Sequence, residues 1–90
     1  MKQIIDGKLY DTKKSKLVSK RNDEYIKYAI YKSKKGAYFA LTQYPYDLPK
    51  MTYDSEPGFL TLVNTDFMRV ILAMFDTDAY QKEFGEVEEA

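Results

Sequence analysis

Apolar residues fall at every second position in two neighbouring stretches of the chain: Ile26, Tyr28 and Ile30 in EYIKYAIYK (24–32), then Phe39 and Leu41 in AYFALTQY (37–44). Alternation with a period of two marks half-buried strands, because successive side chains leave opposite faces of a pleated ribbon. Between them SKKG (33–36) offers a four-residue turn ending in glycine, so the pair reads as a central hairpin with those five side chains on its buried face. The other face then carries Tyr25, Lys27, Ala29 and Tyr31, matched by Tyr38, Ala40, Thr42 and Tyr44.

Shorter patterns flank this hairpin. Ile4 and Ile5 precede Asp6-Gly7, with Leu9 and Tyr10 following; Asp-Gly between apolar pairs predicts a tight hairpin, since both central residues of a type I′ turn need positive φ. Asp11 or Thr12 is placed to cap a short helical turn, and KLVSKR (16–21) and FLTLV (59–63) read as further strands.

From Asn64 the period changes. Phe67, Val70, Ile71 and Met74 recur at i, i+3, i+4 and i+7, one face of a helix that Asn64 or Thr65 caps and that is expected to lie on the sheet. Met68, Leu72 and Phe75 form a second apolar stripe on the same helix, which needs cover from the following segment, a partner or a second copy of the chain. Asp76 or Thr77 opens a last short helix with Tyr80 and Phe84 turned inward and Gly85 as its exit; EVEEA (86–90) is an acidic tail. The predicted architecture is one α+β domain over 1–90: a small antiparallel sheet of about four to five strands packed against one or two C-terminal helices.

The segment YPYDLPKMTYDSEPG (44–58) holds all three prolines together with Tyr46 and Tyr53. Proline has no amide hydrogen for a ladder, so this is a long irregular connection, a class of segment that often carries function in small domains.

Composition narrows the chemistry. Ninety residues support a single modest core, and 44% hydrophobic with 31% charged residues is globular. Cysteine and histidine are both absent, which removes disulfides, thiolate nucleophiles, zinc-thiolate sites and the side chain most used for proton transfer near neutral pH. No catalytic residue, metal or cofactor is expected; the acids Asp76 and Asp78 at a helix start read as caps. The opening MKQIIDGKLYD lacks the apolar run of a signal peptide and no stretch approaches the roughly 20 apolar residues of a membrane span, so a cytoplasmic protein of the host cell is expected. Zero net charge conceals a division: residues 1–40 hold eleven Lys/Arg against four Asp/Glu, residues 41–90 three against ten. Either the halves neutralise each other on folding or a basic face remains exposed to steer partners.

Three stretches resemble a family of small proteins from phages and integrative elements of Gram-positive bacteria. They are the opening Gly7, Lys8, Tyr10, Asp11 and Thr12, the central Ser33, Lys34, Lys35, Gly36, Tyr38 and Phe39, and the closing Tyr80, Phe84, Gly85 and Glu86. The resemblance implies a host-defence inhibitor of the anti-CRISPR kind. The chain departs from the family pattern in its Pro- and Tyr-rich 44–58 connection and its apolar helix.

Combined with the tyrosines, this leads to a non-catalytic protein-binding inhibitor that occupies a host protein such as a CRISPR effector. Its contact residues would be Tyr25, Lys27, Tyr31, Tyr38, Tyr44, Tyr46 and Tyr53. Two alternatives stay open: a nucleic-acid-binding module using the Tyr/Lys sheet face, disfavoured by a pI near 6.2, and a self-associating adaptor, a homodimer joined through Met68, Leu72 and Phe75.

Overall fold

The computed structural model describes residues 1–24, 26–42 and 58–90. Its architecture is α+β: a two-stranded hairpin, a four-stranded antiparallel sheet and two C-terminal helices. Strands β1 (Lys2–Ile5) and β2 (Lys8–Asp11) turn at Asp6 and Gly7, whose φ values of 51° and 77° are both positive, as the Asp-Gly pair predicts. Asp11 then caps a 3-10 turn (Thr12–Lys14), its carboxylate accepting from the Lys13 amide at 3.0 Å.

The main sheet has the order β3 (Lys16–Asn22), β4 (Lys27–Lys32), β5 (Tyr38–Thr42), β6 (Phe59–Leu62). Lys32 pairs with Tyr38, so the β4–β5 loop has five residues, Ser33–Ala37, instead of the expected four. The Ser33 hydroxyl accepts from the Ala37 amide, and Gly36 turns the chain at φ 90°. One extra loop residue changes the register by one, and a shift of one moves every side chain of β5 to the other face. The expected single buried face is therefore corrected: Ile30 lies on one face of the sheet, while Phe39 and Leu41 lie on the other with Tyr31 and Ala29.

Each face carries a packed cluster. On one, Ile30 packs with Met68, Leu72 and Ala79 of the helices, and Val18, Tyr28, Tyr38, Val63, Tyr80 and Phe84 border this cluster. On the other, Phe39 and Leu60 pack with Tyr10 of the hairpin, alongside Tyr31 and Leu41. The hairpin is also tied to the sheet edge by Gln3, whose side-chain amide donates to the Leu60 carbonyl and accepts from the Leu60 amide, both at 2.9 Å. In this way an amide side chain continues the hydrogen bonding of β6 where a further strand would otherwise be needed.

Helix α1 (Thr65–Phe75) starts at Asn64, whose side chain accepts from the Asp66 and Phe67 amides, and runs through the single residue Asp76 into α2 (Thr77–Phe84). Asp76 ends one helix with its amide bonded to the Leu72 carbonyl and begins the next with its carboxylate bonded to the Ala79 amide. Gly85 leaves α2 at φ 95°, the conformation that suits glycine after a helix.

Candidate functional site

Of the tyrosines expected to share an open face, the two described ones, Tyr31 and Tyr38, lie on opposite faces of the sheet. Tyr31 lies half-buried on the hairpin side, stacked on Phe39 with ring centroids 5.5 Å apart and planes at 19°; Tyr10 meets the same Phe39 edge-on at 5.2 Å. Tyr38 is half-buried on the helix side, its hydroxyl donating to Glu83 Oε2 at 3.4 Å. Lys27 is exposed and lines, with Tyr31 and Lys20, a small cavity of about 90 Å³. Tyr25, Tyr44, Tyr46 and Tyr53 lie outside the described residues. The grouping fails for Tyr31 and Tyr38 for the same reason the core face was misread, the fifth residue in the loop between them.

Tyr28 and Ser19 show how a buried polar path joins sheet to helices. Leu17 pairs with Tyr31 but Ser19 with Ile30, so Val18 is an extra residue in β3 and swings Ser19 from the hairpin face to the helix face. There the Ser19 hydroxyl, 4% exposed, donates to Asp76 Oδ2 at 2.6 Å and lies 3.0 Å from the Tyr28 hydroxyl. The single serine proton goes to the carboxylate, so Tyr28 donates to serine. The Asp76→Ala variant is expected to lose about 2 kcal/mol, because it removes the α2 cap, worth about 1 kcal/mol, and leaves the Ser19–Tyr28 hydroxyl pair one acceptor short at a similar cost. Urea melts followed by helical circular dichroism check this, with Asp76→Asn, which keeps a capping oxygen, falling between variant and wild type.

A second polar pair closes the other end of the helix layer. Glu83, with 5% of its side chain exposed, accepts from Lys32 Nζ at 3.3 Å, and the same ammonium sits 5.5 Å from the Tyr38 ring centre. Its other oxygen, Oε1, has no hydrogen-bond partner among the described residues. Hydrogen bonding to Glu83, followed by its charge, raises the Lys32 pKa above the ordinary 10.5. A raised cationic pKa contributes stability that is complete below the unfolded value and is lost as pH climbs through the folded one. The melting temperature is therefore expected to fall more steeply above pH 10.5 in the wild type than in Lys32→Met. Comparing the two removes the common contribution of tyrosine ionisation; parallel profiles would show the pair to be inert.

On α1 the expected roles of the two stripes are reversed. Met68 and Leu72 are fully buried in the helix-side core, so these two offer no free surface for joining a second copy; Phe75 is half-buried, with the Arg21 guanidinium 5.0 Å from its ring centre. The exposed stripe is Phe67, Val70 and Met74, at 63%, 54% and 66%. Both stripes are apolar, so periodicity locates them without ranking them. The rotation is set by the two-residue link from β6, by half-buried Val63 within it, and by α2 turning back at Asp76.

The third feature is a groove of about 540 Å³ between β2 and the β4–β5 loop. It is lined by Lys8, Lys14, Lys34 and Lys35, all exposed, and by apolar Leu9 and Ala37. The excess of positive charge in residues 1–40 was its sequence signal, but the four lysines come from three separate segments that only the fold unites.

Among the described residues no group of three or more Asp or Glu is placed to hold a metal ion, and no helix is long and apolar enough to cross a membrane. Comparison with protein-family models, curated proteins and solved structures finds no match.

Proposed function

We propose that the protein is a non-catalytic binding module that acts by occupying a surface of a host protein, as a phage- or mobile-element-encoded inhibitor of a CRISPR effector does. The observation that carries this reading is the stripe of Phe67, Val70 and Met74 on α1, three large apolar side chains left in water by a helix whose opposite side is fully packed. Aromatic and methionine side chains presented on a rigid helix are the residues that dominate helix-in-groove recognition, where anchors at i, i+3 and i+7 enter an apolar cleft. The stripe takes over the contact role assigned from sequence to the strand tyrosines; Lys27 is exposed on the opposite face of the sheet, beside Tyr31, and does not adjoin it.

The test is binding to a purified CRISPR effector complex, measured alongside inhibition of its nuclease activity. Phe67→Asp combined with Met74→Asp is expected to weaken binding by at least about 30-fold, the equivalent of one lost hot spot, while the melting temperature stays within a degree or two of wild type. Unchanged binding in the double variant removes α1 from the interface. A wild-type chain that neither binds nor inhibits refutes the inhibitor reading. Light scattering on the same proteins separates the competing occupant: a wild-type dimer that the double variant dissolves assigns the stripe to a second copy of the chain.

A further inference from the structure

We propose that the groove between β2 and the β4–β5 loop is a docking site for an acidic peptide segment carrying one apolar side chain. The site is separate from the α1 stripe, which belongs to the helix layer on the other face of the sheet, and it stands or falls without it.

The two serines and the one acid of the lining, among the described residues, already have partners within the fold. Asp11, 6% exposed, accepts from the Lys13 amide, its carbonyl accepts from the Ser15 hydroxyl, and the Ser33 hydroxyl is engaged by the Ala37 amide. Four lysine ammonium groups remain, and among the described residues none of Lys8, Lys14, Lys34 and Lys35 has an ion-pair partner. Lysines are compact charges on flexible stems, able to meet carboxylates spaced along a chain without the fixed planar geometry an arginine demands. Between them Leu9, 59% exposed, and Ala37 supply an apolar patch. A free phosphate would neutralise the lysines and leave that patch wet. A volume near 540 Å³ suits several side chains better than one ion.

Single-stranded nucleic acid fits less well. Such sites rely on open aromatic rings that stack on bases. Among the described residues the groove's one aromatic side chain, Tyr10, is 6% exposed and turned edge-on against Phe39. Acidic groups flanking one apolar side chain are instead the complement of this lining, and the chain's own C-terminal segment has that composition: Glu86, Val87, Glu88, Glu89 and Ala90, all exposed. It leaves α2 just beyond Glu83, the partner of Lys32, which directly precedes the lysine-bearing loop. Its sequence is therefore the natural probe.

The experiment is an amide chemical-shift titration of the full isotopically labelled chain with the synthetic peptide Gly-Glu-Val-Glu-Glu-Ala. A version with Ser for Val and an oligothymidylate serve as comparisons. To separate competition by the attached tail, the same titrations are run on a chain with Glu86→Gln, Glu88→Gln and Glu89→Gln. Expected are shifts at Leu9, Lys34, Lys35 and Ala37 that weaken with salt, an affinity at least tenfold lower in Lys34→Glu/Lys35→Glu, and a several-fold loss with the Ser peptide. Binding seen only in the tail-neutralised chain also supports the site, with the tail as its resident competitor. No shifts in either chain overturn the proposal, as does an oligothymidylate that binds these residues more tightly than the peptide, or peptide affinity indifferent to Lys34→Glu/Lys35→Glu.

Discussion

Leu72→Ala is expected to destabilise the protein by about 3 kcal/mol, within the usual range for a buried leucine, whereas Met74→Ala two residues away should change stability by less than about 0.5 kcal/mol. Leu72 is 0% exposed and packs with Ile30, Met68 and Ala79; Met74 is 66% exposed. Truncating Leu72 removes its transfer energy and leaves a cavity that the sheet above cannot close, because close-packed strands yield little. In a domain of this size each kcal/mol moves the melting temperature by roughly 4–8 °C, so the variant should melt on the order of 15 °C below wild type. Calorimetry at low protein concentration makes the comparison free of any association through the exposed stripe. A larger loss in Met74→Ala than in Leu72→Ala would mean that the helix is turned the other way, and with it the surface offered to a partner.

What could be read from sequence were the features fixed by a residue's own backbone chemistry. Asp6-Gly7 turns the first hairpin because both positions adopt positive φ; Asn64 and Asp76 begin helices because their side chains replace missing amide acceptors; Gly85 follows the last one. The strands and the α+β class followed from periodicity. What escaped was parity. Ala37 as a fifth loop residue and Val18 as an extra residue in β3 each change which face the following side chains occupy, and neither leaves a mark in composition. A sheet buried on both sides also weakens the alternation itself, since Tyr31 and Phe39 on one face are as apolar as Ile30 on the other. The α1 stripes could not be ranked for a similar reason. The basic groove could not be assembled, because Lys8, Lys14 and Lys34 become neighbours only through the placement of the hairpin over the sheet.

That placement gives the second large effect. Phe39→Ala is expected to cost about 3–5 kcal/mol, enough to bring a domain of ordinary stability near the edge of unfolding, while Phe39→Leu, which keeps most of the volume, should cost nearer 1 kcal/mol. Phe39 is 0% exposed and is the ring on which Tyr10 and Tyr31 both rest, so the alanine variant loses two aromatic contacts as well as buried area. Were the helix face the whole core, a residue on the opposite face would tolerate alanine with little loss. Hydrogen exchange on the leucine variant locates the damage: amides of Lys8–Asp11 should lose protection first, because the hairpin is held by the Phe39 contact and by the two bonds from Gln3, while β4 keeps its helix-side packing. Opening the hairpin also separates Lys8 and Leu9 from the β4–β5 loop. Peptide affinity at the groove should therefore fall in Phe39→Leu even though Phe39 lines no part of it, and an affinity that survives full loss of hairpin protection would show that the groove does not depend on the hairpin's position.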